Sequence, residues 1–200
     1  MTQSDSPSRA GLLLRSLALT AVLALGTTAC SAGEGSSASG SSSSATPDAK
    51  KAATALDAGL KAHSEGDLTT AAVDYKKTLS YDPKNKFALY NLALIDAAAG
   101  NYGLAEEKYR ATLEADAGYE PALFNLAILR TSRDPKEAIG LYKRAVAANE
   151  KDAAAWLNLG LLLRASGQES AGDKAVLRAI GLNPKLKDPE PVKAGGVKSR

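Results

Sequence analysis

LYNLALI, residues 89–95, returns as LFNLAIL at residues 123–129 and as WLNLGLL at residues 156–162. The intervals are 34 and 33 residues, and within each copy the apolar residues fall at i, i+3 and i+4. That spacing places them on one stripe of a helix. A catalytic centre gives no reason to write one helix three times. A stack of like units does, because each unit buries its apolar face against its neighbour.

Alignment on these copies divides the chain into four units, about 52–85, 86–119, 120–152 and 153–186, within a folded region of residues 50–186. Each holds two helical patterns around a tight turn. In the second unit Ala105, Tyr109, Thr112 and Leu113 repeat the rhythm. Gly66, Gly100 and Gly167 stand between paired helices, where a left-handed residue ends the first. The third unit lacks this glycine and is one residue shorter. Its RDPKE predicts Asp134 as an N-cap, Pro135 at the first helical position and Glu137 closing a capping box. Small residues recur where helices must cross closely: Gly59, Ala93, Ala127 and Gly160 in the first helices, and Ala71, Ala105, Ala138 and Gly172 in the second. Tyr75, Tyr109, Tyr142 and Val176 follow the second set by four residues.

These residues resemble the tetratricopeptide repeat, written W-x2-L-G-x2-Y, then Ala, an aromatic four later, and a closing Pro. Trp156, Leu159, Gly160 and Pro184 match in the fourth unit, and Leu92, Ala93, Gly100, Tyr102, Ala105 and Tyr109 in the second. The resemblance implies an all-α, right-handed superhelical solenoid of about four helix-turn-helix repeats. It also implies that the first helices line a concave groove for protein or peptide segments. The family often adds a solvating helix at its end, and none is legible after Pro184. The last unit is therefore expected to be uncapped and open to self-association.

The other stretches differ in composition. After Arg9 and Arg15, Ser16–Leu25 reads SLALTAVLAL, shorter than the roughly 20 residues of a spanning helix. Residues 1–29 are expected to be a secretory signal. LGTTAC, ending at Cys30, resembles a bacterial lipoprotein signal, in which that cysteine becomes the acylated N-terminus. Thr27 departs from that pattern, where an aliphatic residue is usual. Thr27-Thr28-Ala29 also suits ordinary secretory cleavage, so a secreted form stays open. The serine-rich stretch of residues 30–49 behind the cysteine favours a lipid anchor, with a tether reaching about 25 Å. Lys187–Arg200 reads as a basic, disordered tail.

The chain holds 25 Lys and Arg against 22 Asp and Glu. Residues 185–200 contain five of the basic and two of the acidic groups, and residues 1–29 two and one, leaving 18 against 19 between. The basic balance belongs to the tail, which argues against a nucleic-acid partner. No cofactor or metal is expected: His63 is the single histidine, Cys30 the single cysteine, and no phosphate-binding loop occurs. His63 reads as an exposed polar residue, Glu106, Glu107, Asp67 and Asp74 as solvated helix faces, and Trp156 and the tyrosines as core. Catalysis is not expected.

Beside the packing stripe each first helix carries a second apolar pair, Leu56 and Leu60, Tyr90 and Leu94, Phe124 and Ile128, Leu157 and Leu161. Phe87 joins this set. The resemblance implies that these positions face the groove. Asn91, Asn125 and Asn158 lie next to them and offer hydrogen bonds to an extended ligand backbone. The competing reading is that the pairs pack first helix against first helix. The carboxylate clamp by which some relatives hold chaperone tails would need Lys at Leu56, Asn at Leu60, and Lys and Arg at Pro121 and Asn125. Only the asparagine at Asn91 is present. The expected function is a lipid-anchored extracytoplasmic adaptor for a protein of the cell envelope; the alternative is a structural, self-associating solenoid.

Overall fold

The computed structural model describes residues 47–189, and among them there are eight helices and no strands. They are α1 (Pro47–Ser64), α2 (Leu68–Tyr81), α3 (Lys86–Ala98), α4 (Tyr102–Ala115), α5 (Glu120–Arg130), α6 (Pro135–Ala148), α7 (Ala153–Ala165) and α8 (Glu169–Leu182). Cys30, the signal and most of the tether lie outside the described residues. Each odd-numbered helix packs on the next, and each even-numbered helix packs on the first helix of the following pair. None of these helices is long and apolar enough to cross a membrane.

Local chemistry sets the helix ends. Asp67, Asn85, Asp134 and Asp152 accept first-turn backbone N–H groups at 2.8–3.1 Å. Such caps stabilise by typically ~1 kcal/mol. Gly66, Gly100 and Gly167 have φ of 83°, 80° and 78°, as expected for the residue that ends α1, α3 and α7. The third unit turns without one: Asp134 N–H donates to the Arg130 carbonyl at 2.7 Å. The predicted capping box is therefore only half made. With that N–H already bonded, Glu137 turns to Arg130 at 2.6 Å and to Arg110 at 2.8 Å.

One turn follows each of the four pairs. Asp82, Asp116, Asn149 and Asn183 donate their backbone N–H to the carbonyl four residues back. Their side-chain oxygens accept from the N–H two residues on, in Lys84, Gly118, Lys151 and Lys185. This side-chain mimicry of a backbone turn explains why only Asp and Asn occupy the position. The fourth copy leads to no further helix. It delivers Asp188, within the stretch read as a tail, to Arg164, which donates from both Nη1 (2.7 Å) and Nη2 (2.9 Å).

The core runs along the crossings of small residues. Ala71, Ala93, Ala105, Ala127 and Ala138 are wholly buried. A Cβ on Gly59 would meet the Tyr75 ring at 2.7 Å, and one on Gly160 would meet the Gly172 carbonyl oxygen at 2.8 Å. Buried Thr78 and Thr112 donate to the carbonyls of Asp74 and Lys108, so neither hydroxyl is left unpaired.

Candidate peptide-binding face

The second apolar pairs are neither free nor fully buried. Leu60 and Phe87 are 43% and 45% exposed, while the other ten predicted groove residues are half-buried. Tyr90, Leu94, Phe124 and Ile128 pack against the main core, and Leu56 against the smaller core that the first pair forms with α3. Packing and display are thus shared by the same side chains. Tyr90 and Phe124 lean on core rings, Tyr109 at 5.9 Å and Tyr142 at 5.9 Å between centroids.

The asparagines are more committed to the fold than their pattern suggests. Asn125 donates to the Pro121 carbonyl at 2.9 Å and to the Tyr90 hydroxyl at 3.1 Å, which uses both its N–H groups. Asn91 donates to the Phe87 carbonyl at 2.8 Å. The Asn158 nitrogen is buried beside the Tyr142 hydroxyl without reaching hydrogen-bonding geometry. Asn125 can therefore offer a ligand only its carbonyl oxygen. Its bond ties the first helices of the second and third units together.

Tyr119 was not singled out in the sequence, yet it completes this face. It meets Phe87 edge-on at 6.1 Å and Tyr90 at 5.3 Å, and Lys86 Nζ lies 5.4 Å from its ring centre. The Lys86 ammonium is held by Asp116 at 2.7 Å. Burial pushes the Tyr90 hydroxyl up to about 12. Next to Tyr119, burial and the neighbouring Asp152 carboxylate push Glu120 up to about 7. A turn residue and a helix-initial acid carry no periodic signal; only their neighbours across the unit boundary reveal them.

Several expectations about other residues are corrected. His63 is half-buried, with Nδ1 3.2 Å from the Tyr75 hydroxyl, because the tyrosine reaches the end of α1. Glu106 is an ion-pair hub: Arg110 lies at 3.0 Å and Arg130 at 3.2 Å. Burial raises its pKa, but the bonds from Arg110 and Arg130 outweigh this and hold the carboxyl below its ordinary value. Tyr102 is 51% exposed, since it opens α4 on the outer side of the turn. Trp156 is half-buried and donates from its ring nitrogen to the Glu150 carbonyl at 3.0 Å. Among the described residues no cluster of His, Cys, Asp and Glu could hold a metal.

Paired helices stacked by small-residue crossings, with a half-exposed apolar row on the first helices, define a helical-repeat scaffold. The chain belongs to the tetratricopeptide repeat family, whose model matches residues 56–120 and 128–185. Members of this family commonly bind protein partners, and the fold is generally non-catalytic. A crystal structure of MamA protein is similar, at 27% identity and a TM-score of 0.59, covering 68% of this chain and 74% of that one. A tetratricopeptide repeat protein from Parabacteroides merdae shares the fold at 20% identity and a TM-score of 0.60, covering 68% and 55%. PilF of Pseudomonas aeruginosa does so at 21% identity and a TM-score of 0.59, covering 70% and 64%. No curated protein matches the sequence.

Proposed function

We propose that the chain is an extracytoplasmic adaptor, anchored through lipid on Cys30, that holds an apolar, extended segment of a cell-envelope protein against its first helices. The observation that carries this reading is the exposed Phe87 ring, edge-on to Tyr119 and in line with a half-exposed apolar row from every unit. An aromatic displayed beside other rings offers a ligand a large contact at little cost in side-chain entropy. The absent carboxylate clamp directs recognition away from acidic chain ends at this face. Self-association through the last unit has less support, because Asp188 already engages the Arg164 guanidinium there.

Phe87 also makes the cleanest test. Its exposure means that truncation leaves the core intact, whereas Phe124 packs on Tyr142. A labelled extended peptide of leucine, phenylalanine and serine should bind the full chain in an anisotropy titration. Phe87→Ala should weaken that binding by about tenfold or more with unchanged helical circular dichroism. Equal binding by the variant would remove the groove from the proposal.

A further inference from the structure

Opposite in chemistry to the apolar row is the edge formed by the turns within pairs. A cavity of about 590 Å³ opens between the α5–α6 turn and the α7–α8 turn. Arg133, Lys136 and Lys143 line it, against one acid, Asp134. The Asp134 carboxylate is already engaged as the N-cap of α6, accepting from Glu137 N–H at 2.9 Å. Lys136 and Lys143 make no ion pair among the described residues, and the contact of Arg133 with Glu106 is a loose 3.9 Å. Positive charge therefore remains uncompensated in a recess. Its lining also includes buried Ile139 and the helical Gly140, where an added Cβ would meet nothing within 4 Å.

Arg133 also borders a second cavity, of about 410 Å³, on the preceding turn. Tyr102 and Leu104 line that one and are 51% and 48% exposed, alongside one acid, Glu107. Exposed apolar groups and cations thus adjoin along one edge, with Arg133 lining both cavities. The third unit, which drops its turn glycine, is where they meet.

We propose that this edge is a second docking surface, which takes an acidic protein segment bearing apolar residues. Carboxylates of the segment pair with Arg133, Lys136 and Lys143, and its apolar side chains lie on Tyr102 and Leu104. A concave site with an apolar lining suits a peptide strand, whereas a lipid surface is flat on this scale and cannot enter it. A bare inorganic anion would leave the apolar groups unused. The surface is separate from the Phe87 row, so the two readings stand or fall independently.

The test uses the full chain and a fluorescein-labelled, glutamate-rich peptide carrying leucines, followed by anisotropy. Saturable binding that weakens as sodium chloride is raised is expected, since these cations are exposed and screened by salt. Gly140→Glu places an opposing charge in open space and should weaken binding by about tenfold or more at unchanged helicity. Phe87→Ala should leave it unchanged. Equal binding by Gly140→Glu would overturn the proposal. So would loss of binding in Phe87→Ala, or retention on phosphatidylglycerol vesicles with no binding of the peptide.

Discussion

Glycine does three different jobs in this chain, and its surroundings tell them apart. Gly66, Gly100 and Gly167 supply a left-handed backbone. Gly59, Gly160 and Gly172 supply the absence of a side chain: a Cβ on Gly172 would sit 2.7 Å from the Gly160 carbonyl oxygen and 2.6 Å from Arg164 Cγ. Gly140 supplies neither, being helical and facing open space. Opposite outcomes follow for one substitution. Gly172→Ala should destabilise the fold by about 1–3 kcal/mol through overpacking. Gly140→Ala should stabilise it by up to about 1 kcal/mol through helix propensity. Urea unfolding of both variants checks this; shifts in the same direction would contradict the assignment. The first two roles are legible in the repeat register, but the third is not, because sequence alone does not show what lies beside position 140.

Among the elements, α1 and α2 form the pair with the smallest apolar side chains at its stacking positions. Where other first helices carry Leu89 and Leu92, Leu123 and Leu126, or Trp156 and Leu159, α1 carries Ala55 and Ala58. Each replacement forgoes apolar burial worth about 1.5–3 kcal/mol for a leucine-sized side chain. The pair accordingly contributes only Ala62, Ala71 and Tyr75 to a small core completed by Ala88 and Leu92 of α3, while the main core runs through the other three pairs. In a stack stabilised by nearest neighbours, the end with the poorest interface opens first. Hydrogen exchange should therefore be faster in α1 and α2 than in α5 and α6. Protection of α1 equal to that of α5 would show that the alanine crossing compensates. The ion pairs joining α4, α5 and α6 through Glu106, Arg130 and Glu137 add a further lock at the middle of the stack.

At the scale of the whole molecule, the solenoid offers two faces, an apolar row on the first helices and a cationic edge at the turns. Replacing Cys30 should release the protein: Cys30→Ser is expected in the soluble or secreted fraction, with the native chain in membranes and labelled by a fatty-acid analogue. One acyl chain alone binds a membrane marginally, so stable retention requires two. Membrane retention of the variant, with no label on the native protein, would remove the anchor from the proposed function.

By itself the sequence determined the helical pairs, their register, the turn glycines and the order of the stack. Those features follow from local propensity and from contacts repeated every 33 or 34 residues, so three copies of one heptad suffice to expose them. Tertiary structure alone decided which polar groups remain for a partner. Asn125 meets Tyr90 across 35 residues, Arg130 meets Glu106 across 24, and Asp188 returns to Arg164 across 24. Each of these bonds joins one unit to the next, or the last helix pair to the segment that follows it. Whether such side chains touch depends on how neighbouring elements are set against each other, which periodicity along a single helix does not encode. The same setting leaves Phe87 exposed while Phe124, in an equally apolar row, leans on Tyr142.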